Sequence, residues 1–107
     1  MTTFNDRERA AEANFALGEE MAFRVIARRN KLVGHWAAEL MKLTPEEADA
    51  YGKSVVQADF EEAGDEDVVR KIVGDLIAAG VETSEDAVRA QLSLQSFVAR
   101  QQLSDAE

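Results

Sequence analysis

The side chains best suited to chemistry are concentrated in one stretch, DFEEAGDEDVVR from Asp59 to Arg70, where six of the first nine residues are carboxylates. Counted from Asp59, Glu61 falls at the third position of a calcium-binding loop and Gly64 at the sixth, where that loop needs its glycine. Two other positions rule the ion out. The fifth is Ala63, which has no side-chain oxygen, and the twelfth, which should close the site with a bidentate glutamate, is Arg70. A guanidinium there repels the cation. The stretch reads instead as the corner between two helices. Asp59, Glu61 and Glu62 end one helix and Gly64 turns the chain. Asp65, Glu66 and Asp67 then begin the next helix, where acids satisfy free amides and complement the dipole. Its other use would be as a protein-contact edge.

Other chemistry is sparse. The chain has no cysteine and one histidine, His35, so neither a zinc site nor a catalytic triad can be assembled. His35 is expected to be structural or solvent-facing, and Trp36 beside it to be core. No glycine-rich phosphate loop of either common spacing is present. These gaps argue against an enzyme, a metal site and a required cofactor. Arg28, Arg29 and Lys31 form a short basic run. It reads either as a solvated helix face or as a weak contact for an anion or adenine nucleotide.

The elements that position these residues are all helical. With 107 residues, 46% hydrophobic and 31% charged, the chain suits a single soluble domain. One proline, six glycines and no alternating stretch leave little room for strands. A first helix is expected from about Phe4 to Met41. It carries a stripe of Met21, Val25, Leu32, Trp36 and Leu40, widened by Ala22, Ile26, Val33 and Ala37. TPEE at Thr44–Glu47 opens a second helix as a capping box, with Pro45 at the first helical position. That helix should run to about Ala63 and turn Ala48, Tyr51, Val55, Val56 and Phe60 inward. A third, starting near Asp65, carries Val68, Val69, Ile72, Val73, Leu76 and Ile77 and ends at Gly80 in a left-handed cap. TSED at Thr83–Asp86 opens the fourth, which presents Ala87, Val88, Leu92, Leu94, Phe97 and Val98. The expected fold is an all-α four-helix bundle over residues 18–107, preceded by a flexible or loosely helical arm, residues 1–17.

Charge separates these two parts. The net charge of −9 divides into +1 over residues 1–31 and −10 over residues 32–107. An acidic body repels nucleic acid and anionic lipid. The N-terminus is unlike a secretory leader, and no apolar run approaches the roughly 20 residues of a membrane span. A cytoplasmic, soluble protein, monomeric when free, is expected. In the arm, Phe4, Ala11 and Phe15 share one helical face but bury too little to hold the segment down alone, and Gly18 is a plausible hinge. The arm reads equally as a solvated helix extension or as a helix that completes its folding in another protein's groove.

Three separated blocks carry a resemblance: MTTFNDRERAAEANFA, ARRNKLVGHWAAEL and DFEEAGDEDVVRKI. In that order, spanning Met1 to about Arg100, they resemble the alphaproteobacterial ATP synthase inhibitor zeta subunit family. The resemblance implies a non-enzymatic four-helix protein. Its N-terminal segment would insert at an alpha/beta interface of the F-type ATP synthase head and reach the gamma shaft, blocking hydrolysis far more than synthesis. It would be cytoplasmic, held to the membrane-bound enzyme through that head. Carried onto this chain, the contact positions are Phe4, Arg7, Arg9, Ala11 and Phe15. Asn14 stands where family members often carry lysine, and Asn5 where they often carry an acid, so this arm has fewer charges. The alternatives are a helical adaptor and a nucleotide- or anion-responsive sensor without inhibitory activity.

Overall fold

The computed structural model describes the backbone of residues 2–61 and 64–105 and the side chains of residues 18–60 and 64–105. Four helices follow one another: α1 (Thr2–Leu40), α2 (Pro45–Glu61), α3 (Glu66–Ala78) and α4 (Glu85–Asp105). No strand occurs among the described residues. This is the expected four-helix bundle with an N-terminal arm. At about 1.5 Å of rise per residue, the 39-residue α1 sets the 66 Å long dimension of the molecule. α2 and α4 run back along its two sides. Near the end of α2, Phe60 meets Phe23, and near the end of α4, Ser104 shares a groove with Met21 and Ala22. Beyond that level α1 continues as the arm.

Local chemistry fixes the corners. The Thr44 amide donates to Glu47 Oε1 at 2.9 Å and the Glu47 amide to Thr44 Oγ1 at 3.2 Å, closing the expected capping box ahead of α2. α3 ends on Gly80, at φ +81°, with the Val81 amide bonded to the Leu76 carbonyl at 2.9 Å and the Gly80 amide to Ile77 at 3.0 Å. That pair of bonds is a Schellman turn. α1 ends in the same 6→1 pattern, Leu43 amide to Ala38 carbonyl at 3.0 Å, but Lys42, at φ 60°, occupies the left-handed position that glycine usually fills. Within TSED the cap is Ser84, whose hydroxyl accepts from the Ala87 amide at 3.1 Å.

The core is aliphatic: Val33, Val55, Val68, Val69, Ile72, Leu76 and Val88 are fully buried. Each such side chain contributes about 1.5–3 kcal/mol on leaving water. Several expected core positions are instead at the surface. On α1 the buried arc runs through Val25, Arg29, Val33 and Ala37, with Asn30, Gly34 and Ala38 beside it, whereas Ala22, Ile26 and Leu40 are exposed. Two helices flank α1, so the arc is centred on the gap between them and not on the bulkiest residues. Phe60, placed in the core by the sequence pattern, is 65% exposed, because it lies in the last turn of α2, five residues beyond buried Val55 and on another face. Ile77 lies in the last turn of α3, outside the line of Val68, Val69, Ile72 and Leu76, and is also exposed. On α4 the buried line is Val88, Leu92 and Ala99, which leaves Ala87, Leu94 and Phe97 outside.

One contact has no counterpart in the hydrophobic pattern. A Cβ placed on Gly34 would lie 2.8 Å from the Gly52 Cα and 3.3 Å from Val55 Cγ2. α1 and α2 therefore cross with backbone nearly touching backbone, which only glycine permits.

Candidate partner-binding arm and its root

At the root of the arm a polar clasp ties α1 to the corner between α2 and α3. Arg29 is buried on α1. Its Nη2 donates to Asp65 Oδ1 at 2.9 Å and to Asn30 Oδ1 at 2.9 Å, and its Nε donates to the same amide oxygen at 3.1 Å. Asn30 Nδ2 in turn donates to Asp59 Oδ2 at 2.9 Å. Two acids of the corner thus grip two adjacent residues of α1 from the end of α2 and the start of α3. Charge-assisted, fork-shaped bonds of this kind set orientation as well as energy. Asp65 stands at the α3 N-cap position but makes no side-chain cap bond, because its carboxylate is turned to Arg29. The corner read from sequence is confirmed, with Gly64 at φ +97°, and its acids hold helices together more than they cap one. Among the described residues no cluster of His, Cys, Asp or Glu could hold a metal ion.

The basic run does not converge. Arg28 is exposed and donates to Gln102 at 3.2 Å, Lys31 is exposed on its own, and the Arg29 guanidinium is turned inward to the clasp. His35 Nε2 lies 3.2 Å from Asp49 Oδ1 at the surface, and Trp36 packs half-buried against the core, as expected of both. Among the described residues, the perturbed acid–base groups sit at a helix cap and at contacts between helices. The Thr44 amide and then its hydroxyl hold the Glu47 carboxyl below its ordinary value. The Arg89 guanidinium does the same to Glu66, through a hydrogen bond and its charge. Burial, reinforced by the hydrogen bond to Asp75, pushes the Tyr51 hydroxyl well above the ordinary tyrosine value.

Helix geometry connects arm and body. At about 100° per residue, Phe4, Ala11, Phe15, Ala22, Ile26, Arg29 and Val33 fall in one strip about 60° wide along α1. In the body this strip faces the gap between α2 and α4, where Arg29 and Val33 are buried. The side chains of Phe4, Arg7, Arg9, Ala11 and Phe15 lie outside the described residues, so their contacts are not part of this geometry. At the root of the arm the strip meets two shallow grooves. One, of about 190 Å³, lies between α1 and α2 and is lined by Phe23, Ile26, Ala27, Asn30, Val56, Asp59 and Phe60. The other, of about 440 Å³, lies between α1 and α4 and includes Met21, Val25, Ser96 and Arg100. Phe23, Ile26 and Phe60 were not singled out by the sequence as a surface feature. A weak signal existed, since Phe23 falls outside the expected stripe and Phe60 lies late in its helix.

The comparisons with known proteins fit this geometry. A solution NMR structure is similar at 48% sequence identity and a TM-score of 0.72, over 81% of this chain and 99% of that one. A search of curated proteins finds no match. The family model described as ATPase inhibitor subunit zeta matches residues 1–102, from the arm to the last turns of α4. This four-helix chain with its N-terminal extension therefore belongs to the ATPase inhibitor subunit zeta family.

Proposed function

We propose that this member restrains ATP hydrolysis by inserting residues 1–17 into the catalytic head of the F-type ATP synthase, between an alpha and a beta subunit and toward the gamma shaft. Family membership supports the inhibitory role and an ATPase partner. One observation carries the insertion reading: Phe4, Ala11 and Phe15 lie on the same side of α1 as Ala22, Ile26 and Val33, with Glu8 at the edge of that strip. Inside the body, the strip is buried at Arg29 and Val33, between α2 and α4, while Ala22 and Ile26 remain exposed. Over residues 1–17 it holds Phe4, Ala11 and Phe15, and a groove between two subunits would take the place of the missing helices. The same geometry supports a role for the body as a stop. The ends of α2 and α4 flank α1 from about Met21 onward, so a groove gripping the arm would end there.

Arg7 and Arg9 would place positive charge from the near-neutral arm against the head, while the acidic body stays outside. Ordering a short arm on its partner costs about 2–5 kcal/mol of the interaction energy, which suits a brake that must release. No cofactor is required, and the free protein is monomeric and cytoplasmic, reaching the membrane-bound enzyme only through its head. No described helix is long and apolar enough to cross a membrane. A sensor centred on Arg28, Arg29 and Lys31 has less support, because Arg29 is already engaged with Asp65 and Asn30.

The test is ATP hydrolysis by purified ATP synthase heads, with the full chain compared against a version lacking residues 1–17. Inhibition by the full chain alone is the expected result. Equal inhibition by both would move the activity to the body, and inertness of both against a competent enzyme would leave the adaptor.

A further inference from the structure

We propose that Phe23, Ile26 and Phe60 form an apolar seat at the root of the arm that docks on the rim of the cleft receiving the arm, so that the body binds the head as well as limiting entry. This rests on the insertion reading above. The three side chains are 53%, 42% and 65% exposed and adjoin one another, which leaves a contiguous apolar surface in water. They form one surface: the Phe23 and Phe60 rings meet edge-on with centroids 5.1 Å apart and an interplanar angle of 71°. Their groove is built rather than incidental. Ala27 and Val56 line it, and the Asn30–Asp59 hydrogen bond of 2.9 Å, part of the clasp, closes one side.

Position selects the occupant. Phe23 lies on the same helix as the arm, six residues past its end, or about 9 Å along the axis. A partner that encloses residues 1–17 therefore brings its own surface to the seat. The matching chemistry is an apolar protein rim of aliphatic or aromatic side chains beside the cleft, able to take two rings. Buried aromatic anchors of this kind often dominate an interface. Ile77, similarly exposed at 61%, lies at the end of the bundle remote from the arm and serves as the internal control.

The experiment uses the full chain carrying Phe23→Ser and Phe60→Ser together, beside Ile77→Ser, in titrations of ATP hydrolysis by purified heads. Helical content is checked by circular dichroism. The seat variant should need about tenfold more protein for half-inhibition, chiefly through faster release, with Ile77→Ser unchanged. A photo-crosslinking residue at position 60 should join to a subunit of the head, and one at position 77 should not. This second readout decides the matter if the serine variant loses helicity. If the seat variant inhibits like the parent while deletion of residues 1–17 abolishes inhibition, the seat is wrong and the insertion reading stands. If the parent itself is inert, both fall. If the substitutions abolish self-association in sedimentation but leave inhibition intact, the seat serves a second copy of this chain and the proposal is overturned. Equal weakening by Ile77→Ser also overturns it.

Discussion

The two ends of α1 follow the same rule and meet different surroundings. From Val25 to Ala38 one face of α1 is buried against α2 and α4, with Ile26 left exposed, and among the described residues every buried one lies between Val25 and Ala99. Over residues 1–17 the same strip continues with only Phe4, Ala11 and Phe15, and the neighbouring helices end before they reach it. A helix this thinly supplied with apolar residues gains little from its own chain, since tertiary packing supplies most helical stability. The contrast shows how one helix can serve as both scaffold and probe. The body end packs within the chain, and the arm end is the part that the proposed insertion would pair with a partner.

The sharpest way to break this comparison is to separate the two ends. Deleting residues 1–17 should abolish inhibition yet leave the melting temperature of the body nearly unchanged, because the buried side chains among the described residues all lie beyond the deletion. A large fall in melting temperature would show that the arm also supports the bundle. The opposite change, Gly34→Ala, attacks the body alone. With Gly52 Cα only 2.8 Å from the new methyl, α1 and α2 must move apart, at a cost of about 1–3 kcal/mol in denaturant unfolding. At temperatures where this variant remains folded, inhibition should persist.

A subtler change acts at the junction. Gly18 is exposed, and a methyl group there would have no neighbour within 4 Å, so alanine adds no clash. Gly18→Ala should favour the helical arm by about 1 kcal/mol and strengthen inhibition severalfold. Weaker inhibition would instead mean that the arm bends at Gly18 when it binds, which would sharpen the boundary between the two regions.

The smallest effect is a pH dependence confined to the body. Hydrogen bonds with Thr44 hold the Glu47 carboxyl below its ordinary value in the folded state, so its contribution to stability is present above that ordinary value and is lost as pH falls through the folded one. The parent should therefore melt slightly higher than Glu47→Gln at neutral pH, with the gap closing in acid, and inhibition at neutral pH should be the same for both. A gap that widened in acid would contradict the capping box.

How much of this was legible in the sequence depended on distance along the chain. Thr44 and Glu47 are three residues apart, and Gly80 and Gly64 turn corners by their own backbone freedom, so the four elements and their ends could be read directly. The regulatory candidate was legible for a similar reason, since the thinning of the stripe before Leu17 is a local property of α1. Phe60 and Ile26 were misplaced because apolar residues in an amphipathic pattern look alike whether a neighbouring helix reaches them or stops one turn short. The role of the acidic corner was only half visible, because Asp65 is 36 residues from Arg29, the residue it holds.

The sequence alone determined the number of helices, their caps, the separation of a lean arm from an apolar body, and the blocks that mark the family. These follow from backbone preference and periodicity, which act within a few residues. Only the tertiary structure decided that Arg29 and Asn30 are clasped by Asp65 and Asp59, that Gly34 and Gly52 bring two helices into backbone contact, and that Phe23 and Phe60 meet at the surface beside the arm. Those outcomes depend on how deeply helices distant in sequence overlap, and residue type does not encode that overlap until the whole core has packed.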